Sequence, residues 1–296
     1  GGEQRTGDAA AQSHASFLQD LPRCGLTPPY EATSLDPMCG RYASSRRPED
    51  LLEEFEIVES RVTTALAPDY NVAPTKEVYA VVERPPSKDS PETSRPPERQ
   101  LRVLTWGLVP SWAKDPSIGN RMINARMETV AEKPAYRKAF ASRRCLLPAD
   151  GYFEWYPTEQ LTTAGKPKKQ PFFIRPRDGA TLAMAGLYEI WRDPTREDDD
   201  PQRFRWTCTV ITTDAEDDIG RIHDRMPLMV EPDRRAAWLD PRTERADLLD
   251  LLVPAAPGNL EAYPVSAAVG NVRNNGPELV EPLPAEDAPR SAEGSP

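Results

Sequence analysis

Apolar runs in the middle of the chain predict a protein built mainly of β-strands. The runs are EVYAVVE (77–83), LRVLTWGLV (101–109), CLLPADGYFEWY (145–156), PFFIR (171–175), TLAMAGLYEIW (181–191) and FRWTCTVIT (204–212). Short apolar segments rich in β-branched and aromatic residues are typical of strands. We expect Pro148 to interrupt the third run, and we expect residues 157–170 to form a polar connector.

The predicted helices are short and scattered. Pro48 stands at a first helical position before a leucine-rich amphipathic stretch, and further helices are predicted at 131–144, 232–238 and 244–252. Strands and helices do not alternate regularly, which disfavours a doubly wound sheet. The pattern predicts an α+β fold: a single domain with a mixed, strand-rich β core and peripheral short helices.

Both ends of the chain and one internal segment lack this hydrophobic pattern. Residues 1–37 are rich in Gly, Ala, Ser, Gln and Pro, and we expect a disordered extension there. The proline-rich segment 84–100 predicts a flexible surface loop. We expect residues 38–284 to form the domain and residues 285–296 to be a disordered acidic tail.

Charge and hydropathy narrow the function classes. No apolar run reaches the roughly 18–20 residues that span a bilayer, and the first residues lack a secretory pattern, so we expect a cytosolic protein without membrane contact. The net charge of −10 disfavours a nucleic-acid partner. However, Ser111–Arg144 holds eight basic against three acidic side chains, so the segment is either a phosphate-binding face or an ordinary solvated surface.

Cysteine and histidine usage argues against a metal site. The four cysteines, Cys24, Cys39, Cys145 and Cys208, form no CxxC pair, and only His14 and His223 are available as imidazole ligands. A disulfide framework is equally unexpected in a large cytosolic chain. We therefore expect neither metal nor cofactor, and attention falls on the reactivity of a single cysteine.

Cys39 lies in the sequence Met-Cys-Gly-Arg, which allows two interpretations. It is either a small buried hydrophobic residue or, if Met38 is an initiator that is removed, an N-terminal cysteine. A terminal cysteine carries a thiol and an α-amine with a pKa of about 8, so that the amine is partly neutral and nucleophilic at pH 7. Together these groups condense with an aldehyde, first to a Schiff base and then to a five-membered thiazolidine.

INARMET (123–129) places three polar side chains at alternate positions. In an extended segment Asn124, Arg126 and Glu128 point to one face, where they either meet one ligand or remain surface polar groups.

Glu154 and His223 are candidate proton carriers. Glu154 lies between Phe153 and Trp155, so we expect a desolvated carboxyl with a raised pKa, or else a partner of an arginine. His223 has the only imidazole in the expected domain and is either structural or a proton carrier.

Trp106 and Trp112 flank Pro110 next to the basic segment. They are either core residues or a platform for unstacked bases.

Taken together, the motifs resemble the SRAP family of SOS response-associated peptidases, or abasic-site-processing proteins, over about residues 38–282. The resembling motifs, in the family's order, are MCGRYA, YNVAPT, WGLVPSWAKD, INARMET, CLLPADGYFEWY, AGLYEIW, TVITTDA, IHDRMPLMV and PVSAAVGNVRNNGPELVEP.

The resemblance implies a monomeric sensor that shields abasic sites in single-stranded DNA, and at single-strand/double-strand junctions, as part of the DNA damage response. It implies that Cys39 is the nucleophile, that Asn124 orients the terminus or the sugar, and that Glu154 and His223 move protons. Arg41 and Arg126 would hold phosphates, while Trp106 and Pro74, with Trp112 nearby, would form an apolar shelf. A minor lyase activity and association with the nucleoid are expected.

Residues 1–37 conflict with this implication, because Cys39 has no free amine while they are attached. They are a misplaced start, a tag or a removable propeptide. Two other functions stay open: a self-processing cysteine peptidase that releases the upstream segment, and a DNA-binding module that recognises junctions without covalent chemistry.

Overall fold

The computed structural model describes residues 39–84, 97–215, 219–254 and 258–284, and strands dominate this part of the chain. The strands are β1 (Tyr42–Ser44), β2 (Glu59–Ser60), β3 (Asp69–Val72), β4 (Glu77–Arg84), β5 (Glu98–Trp106), β6 (Asn124–Arg126), β7 (Arg144–Ala149), β8 (Gly151–Leu161), β9 (Pro167–Pro176), β10 (Leu182–Arg192), β11 (Phe204–Asp214), β12 (Arg225–Pro227) and β13 (Leu260–Pro264). The α-helices are α1 (Pro48–Glu54), α2 (Arg137–Ser142), α3 (Ile219–Ile222), α4 (Arg235–Leu239) and α5 (Arg245–Asp250). The α+β prediction with a strand-rich core and peripheral short helices is confirmed.

Five strands close into a barrel. The order is β11, β10, β7, β4 and β5, and β5 returns to β11. The closing pair is parallel, with Thr105 opposite Thr207 and Trp106 opposite Cys208, whereas the other neighbours are antiparallel. The closing contact spans two residue pairs, and β2 pairs with the same edge of β5 at Gln100 and Leu101.

Alternate residues of each barrel strand divide between two hydrophobic clusters. On β4, Val78, Ala80 and Val82 pack inside the barrel, while Tyr79 and Val81 face outward. The outer cluster is covered by helices α1, α4 and α5, which contribute Leu51, Trp238, Leu239 and Leu248. Burying a side chain of this size stabilises the fold by about 1.5–3 kcal/mol, so short helices suffice to cover the barrel.

A second sheet, in the order β13, β9, β8, β1 and β3, lies beside the barrel. The chain passes from the barrel to this sheet at Asp150, between β7 and β8. The prediction of a break at Pro148 was therefore wrong. Pro148 lies within β7 opposite Ala183, beyond the point where β4 pairs with β7, so its missing N–H interrupts no ladder on that side.

Two further predictions need correction. Residues 157–170 are not a plain connector, because β8 continues to Leu161 and β9 starts at Pro167, and the two strands pair as an antiparallel hairpin. The predicted helix at 131–144 is only six residues long, Arg137–Ser142, and is preceded by turns.

The predicted extension 1–37, most of the loop 84–100 and the tail 285–296 lie outside the described residues. Within the described ranges, none of the helices has the length and apolar character needed to cross a membrane.

Candidate functional site

The pairing of β1 with β8 brings Cys39 beside Glu154. Tyr42 lies opposite Tyr152 and Ala43 opposite Gly151, and the backbone N–H of Phe153 donates to the carbonyl of Arg41 over 2.9 Å. If the same register is extended beyond the N-terminal end of β1, the chain runs alongside Glu154. The backbone N–H of Cys39 donates to Oε1 of Glu154 over 2.9 Å.

Cys39 is held in an uncommon conformation in a closed site. Its φ is 48°, in the left-handed region, which for a non-glycine residue stores strain on the order of 1 kcal/mol. Its side chain is 3% exposed, and its thiol donates a weak hydrogen bond to the backbone carbonyl of Arg225 over 3.7 Å. The contacts of its nitrogen and its sulfur offset the strain and fix both atoms.

Burial sets the protonation of the pair. Glu154 is 3% exposed, and desolvation raises its pKa, while the nearby His223 and the hydrogen bonds of Cys39 act in the opposite direction. The predicted desolvated carboxyl is thereby confirmed. Burial, followed by the charge of Glu154, raises the pKa of the Cys39 thiol well above its ordinary value. The sulfur is therefore held as a thiol, and its proton must be removed before it can attack.

His223 lies at the turn between α3 and β12. Its Nδ1 accepts the backbone N–H of Arg225 over 3.0 Å and also lies 3.0 Å from Oδ1 of Asp224. The first contact uses Nδ1 as an acceptor, whereas a hydrogen bond to Asp224 needs a proton on Nδ1. The two contacts therefore correspond to different positions of the ring proton.

Arg225 organises the strands around Cys39 and was missed as a site residue by sequence reasoning. Its guanidinium binds Glu128 over 2.6 Å, pairs with Asp214 and donates to the carbonyl of Thr212 over 2.7 Å. The only signal in the sequence was its place two residues after His223. The carboxylate of Glu128 thus has a partner within the protein, and a ligand shared by Asn124, Arg126 and Glu128 stays a prediction.

Asn124 and Arg126 lie on β6, which runs parallel to β11. Asn124 is opposite Val210, Arg126 is opposite Thr212, and the same β11 carries β12 at Thr212–Asp214. Asn124 is half-buried, Ala125 is buried and Arg126 is exposed, as the alternating pattern predicts. The strand pairing therefore brings both residues to the end of β11 that carries β12.

Arg41 is half-buried between two segments. It donates to Oδ1 of Asn71 over 2.6 Å and to the carbonyl of Val269 over 2.8 Å, and its guanidinium lies 5.7 Å from the ring centre of Trp155. Desolvation lowers the pKa of this guanidinium, although Asp69 acts in the opposite direction. Arg41 thus stabilises the surroundings of β1 in addition to any contact with a ligand.

The prediction for Trp106 as an exposed shelf needs correction. The residue is 1% exposed, packs 5.2 Å from the ring of Tyr42 and donates its indole N–H to the carbonyl of Ile123. Its ring is a core element because Trp106 is an inward-facing position of β5. Pro74 is half-buried in the turn before β4, whereas Trp112 is 59% exposed.

The described residues contain no group of three or more His, Cys, Asp or Glu side chains placed to hold a metal ion. Cys145 and Cys208 are free and buried inside the barrel. Among the described cysteines, Cys39 is the one whose nitrogen contacts a buried carboxyl and whose thiol lies by a histidine-bearing turn.

A strand-rich domain with a cysteine, a buried glutamate and a histidine gathered at one site defines the class to which this chain belongs. The chain is a member of the SRAP family, whose description is "SOS response associated peptidase", and the family model matches residues 38–272.

Two curated relatives match nearly their whole length. The chain is 37% identical over 245 residues to the abasic site processing protein YoqW of Bacillus subtilis (strain 168), covering 82% of this chain and 99% of the relative. It is 32% identical over 254 residues to the abasic site processing protein YedK of Escherichia coli (strain K12), covering 83% and 100%. A crystal structure of a protein from Bacteroides thetaiotaomicron matches with a TM-score of 0.67 at 24% identity, covering 83% and 100%, which supports the fold.

Proposed function

We propose that this chain processes abasic sites in single-stranded DNA by linking Cys39 covalently to the aldehyde of the opened abasic sugar. The observation that carries the proposal is the 2.9 Å contact between the nitrogen of Cys39 and the buried carboxyl of Glu154, with the thiol of the same residue fixed beside it. An amine and a thiol on neighbouring carbons need only a proton carrier to condense with an aldehyde. The names of YoqW and YedK support the same substrate class.

The first step is formation of a Schiff base. His223 assists opening of the sugar by moving a proton from the C1′ hydroxyl to the ring oxygen, which exposes the aldehyde. The neutral amine of Cys39 then attacks C1′, and as the C–N bond forms Glu154 carries one proton from the nitrogen to the C1′ oxygen, which gives a carbinolamine. Glu154 then carries the second proton from the nitrogen to the same oxygen, the C–O bond breaks, water leaves and a neutral C=N bond remains.

The second step closes the ring. The thiol of Cys39 loses its proton to Glu154, sulfur adds to C1′, and the imine nitrogen takes up a proton. The result is a thiazolidine, and the whole sequence releases one water molecule. The Schiff base also acidifies the C2′ position, so loss of the 3′ phosphate by β-elimination is a minor competing route.

The remaining predicted residues hold the DNA. Asn124 orients the opened sugar, and Arg41 and Arg126 bind the flanking phosphates, a task suited to the planar guanidinium. Exposed Trp112, with half-buried Pro74, offers apolar surface to a base at a single-strand/double-strand junction.

The reaction requires a free amine at Cys39. An amide nitrogen has no basic lone pair, so a chain that keeps residues 1–38 forms no Schiff base. The test therefore uses a chain that starts at Cys39 beside the full chain. Each is incubated with a single-stranded oligonucleotide containing one abasic site, and adducts are read on a denaturing gel and by intact mass.

We expect an adduct only from the chain that starts at Cys39, with a mass one water below the sum of protein and DNA. Cys39→Ser keeps the amine and loses the thiol, so it is expected to give only a Schiff base that needs borohydride to survive denaturation. Cys208→Ala, which changes a buried cysteine of the barrel, is the control and keeps the adduct. Noncovalent binding that Cys39→Ala leaves unchanged, with no adduct from the chain that starts at Cys39, would assign the chain to junction binding instead.

Self-processing is a second candidate, favoured by the strained φ of Cys39 and by the position of Glu154 at the nitrogen of the Met38–Cys39 bond. The thiol of Cys39 would pass its proton to Glu154 as sulfur attacks the carbonyl of Met38, and Glu154 would give that proton to the nitrogen as the C–N bond breaks. Water then releases residues 1–38 from sulfur. Intact mass of the full chain over time tests this, and an upstream release that persists in Cys39→Ala contradicts it.

A further inference from the structure

The end of the barrel away from Cys39 carries a cluster of arginines around one indole ring. Three barrel strands each contribute one inward-facing residue at this end. These residues are Arg84 on β4, Arg102 on β5 and Trp206 on β11. These three side chains and Tyr188 of β10 line what we call the arginine mouth. Each is either half-buried or buried, so the group belongs to the barrel rather than to a mobile surface.

The guanidinium groups are held by stacking. Those of Arg102 and Arg84 lie 4.2 Å and 5.1 Å from the ring centre of Trp206. Trp206 in turn stacks on Tyr188, with ring centres 5.5 Å apart and planes 12° from parallel. A guanidinium that lies against a ring keeps its N–H donors at its edge, so stacking orients these donors without using them.

The nearby carboxylates do not neutralise this pair of charges. Glu59 pairs with Arg61 over 2.6 Å and accepts the amide of Gln100 over 2.7 Å. The other end of Gln100 accepts one donor of Arg102 over 2.9 Å. Glu98 lies opposite Arg84 in the ladder, yet no ion pair joins them among the described residues. Burial, and then the charges of Arg84 and Arg61, lower the pKa of Arg102.

The arginine mouth is separate from the Cys39 site. Trp206 and Asp214 are eight residues apart on β11, and β12 with the Cys39 contact lies at Asp214. At about 3.3 Å per residue the two ends are roughly 26 Å apart. A group bound at the mouth does not contact the reacting sugar.

We propose that the arginine mouth binds a dianionic phosphate group, either inorganic phosphate or a terminal phosphate monoester, between Arg84 and Arg102. Within the described ranges, one donor of Arg102 is used by Gln100, and the remaining N–H donors of the two adjacent guanidinium groups match the charge and the acceptors of a dianion better than those of a carboxylate or a phosphodiester. Base stacking does not compete, because the indole faces are already covered by Tyr188 and the arginines.

Titration calorimetry of the full chain with inorganic phosphate at constant ionic strength tests the site. The pH is held at about 8, above the second pKa of both inorganic phosphate and a phosphate monoester, so that each is mostly dianionic. We expect saturable binding to one site, and we expect Arg84→Gln and Arg102→Gln each to raise Kd about tenfold or more. Arg175→Gln is the matched control, since Arg175 also stacks on an aromatic ring, Tyr263, but is paired with Glu261.

The arms of the experiment separate the sources of phosphate. A 5′-phosphorylated dinucleotide that binds more tightly than inorganic phosphate, while its 5′-hydroxyl counterpart does not bind, identifies a DNA end. Equal affinities for the phosphorylated dinucleotide and inorganic phosphate identify the free anion.

The titration is repeated in Cys39→Ala, so the crosslinking proposal can fail without affecting this one. Arg84→Lys keeps the charge and serves if a glutamine variant does not fold, with a smaller expected loss. No saturable binding, an equal loss in Arg175→Gln, or preference for an acidic peptide would overturn the proposal.

Discussion

At the scale of single residues, the site combines two ionisable groups whose pKa values are both raised by burial. Desolvation raises the pKa of Glu154 and of the Cys39 thiol, so each holds its proton more firmly than in water. A carboxyl in that state can donate a proton to an oxygen that leaves and accept one back from sulfur. The two residues are therefore better understood as a pair that shares a proton than as a nucleophile with a permanently ionised base.

The raised pKa of Glu154 makes a prediction about stability. A folded-state pKa above the unfolded value means that the folded chain binds more protons, so stability is full below about pH 4 and falls as pH rises through the folded pKa. Glu154→Gln removes this titration. As pH rises, we expect the free energy of unfolding of the variant to increase relative to that of wild type. The increase is about 1.4 kcal/mol for each unit by which the folded-state pKa of Glu154 exceeds its unfolded-state pKa.

Urea unfolding of both proteins between about pH 4 and pH 8 measures that gain. Glu77→Gln, which removes an exposed carboxylate, is the matched control for the substitution itself. A Glu154→Gln difference that does not change with pH would mean that the carboxyl is not desolvated in solution.

At the scale of secondary-structure elements, strands were easier to predict than their partners. Periodicity located β4, β5, β9, β10 and β11, because each alternates or stays apolar along its length. It could not show that β5 closes on β11, since that parallel pair joins residues about a hundred positions apart. The predicted break at Pro148 and the predicted connector 157–170 were wrong for a related reason. Whether a strand tolerates proline or polar residues depends on neighbours that the local sequence does not reveal.

The site was predicted in part for the same physical reason. Motifs identified Cys39, Glu154 and His223 individually, and the desolvation of Glu154 followed from its aromatic flanks. The burial of Trp106 did not follow, because an indole next to a loop motif is equally compatible with core and surface. The role of Arg225 depends on Glu128 and Asp214 converging from two other strands, a tertiary fact without a local signature.

The segment that carries Trp112 is anchored by two glycines in close contact. A Cβ at Gly119 would lie 2.6 Å from the carbonyl oxygen of Gly107, a backbone atom that cannot move aside cheaply. We expect Gly119→Ala to destabilise the protein by about 1–3 kcal/mol through this overlap. Thermal or urea unfolding measures it.

Gly270→Ala is the control, since a Cβ there meets nothing within 4 Å and its backbone needs no left-handed φ. It is expected to change stability by no more than about 0.5 kcal/mol. Equal effects of the two substitutions would contradict a steric origin at Gly119.

At the scale of the whole molecule, the fold places the Cys39 site and the arginine mouth at opposite ends of the barrel. The second sheet and β12 hold Cys39 at one end of β11, and the arginine mouth lies at the other. The net charge of −10 repels DNA as a whole, so binding of an abasic strand at Cys39 depends on local basic surface at that end. Exposed Arg126 on β6 is the described arginine whose position best suits such a contact.

This arrangement predicts how DNA affinity depends on salt. Each phosphate neutralised on a single strand contributes about 0.7 to the slope of log K against log salt. We expect wild-type affinity for an abasic single strand to fall as salt rises, and Arg126→Ala to lower the slope by about one such increment. Fluorescence anisotropy of the full chain with Cys39→Ala, in which residue 39 has neither a free amine nor a thiol, measures the noncovalent step alone. Arg242→Ala, which removes an exposed arginine paired with Asp240, should leave the slope unchanged.

A salt-independent affinity in the parent protein would mean that Arg126 and its basic surroundings do not contact phosphates. The DNA would then have to be held through Trp112, Pro74 and the covalent bond.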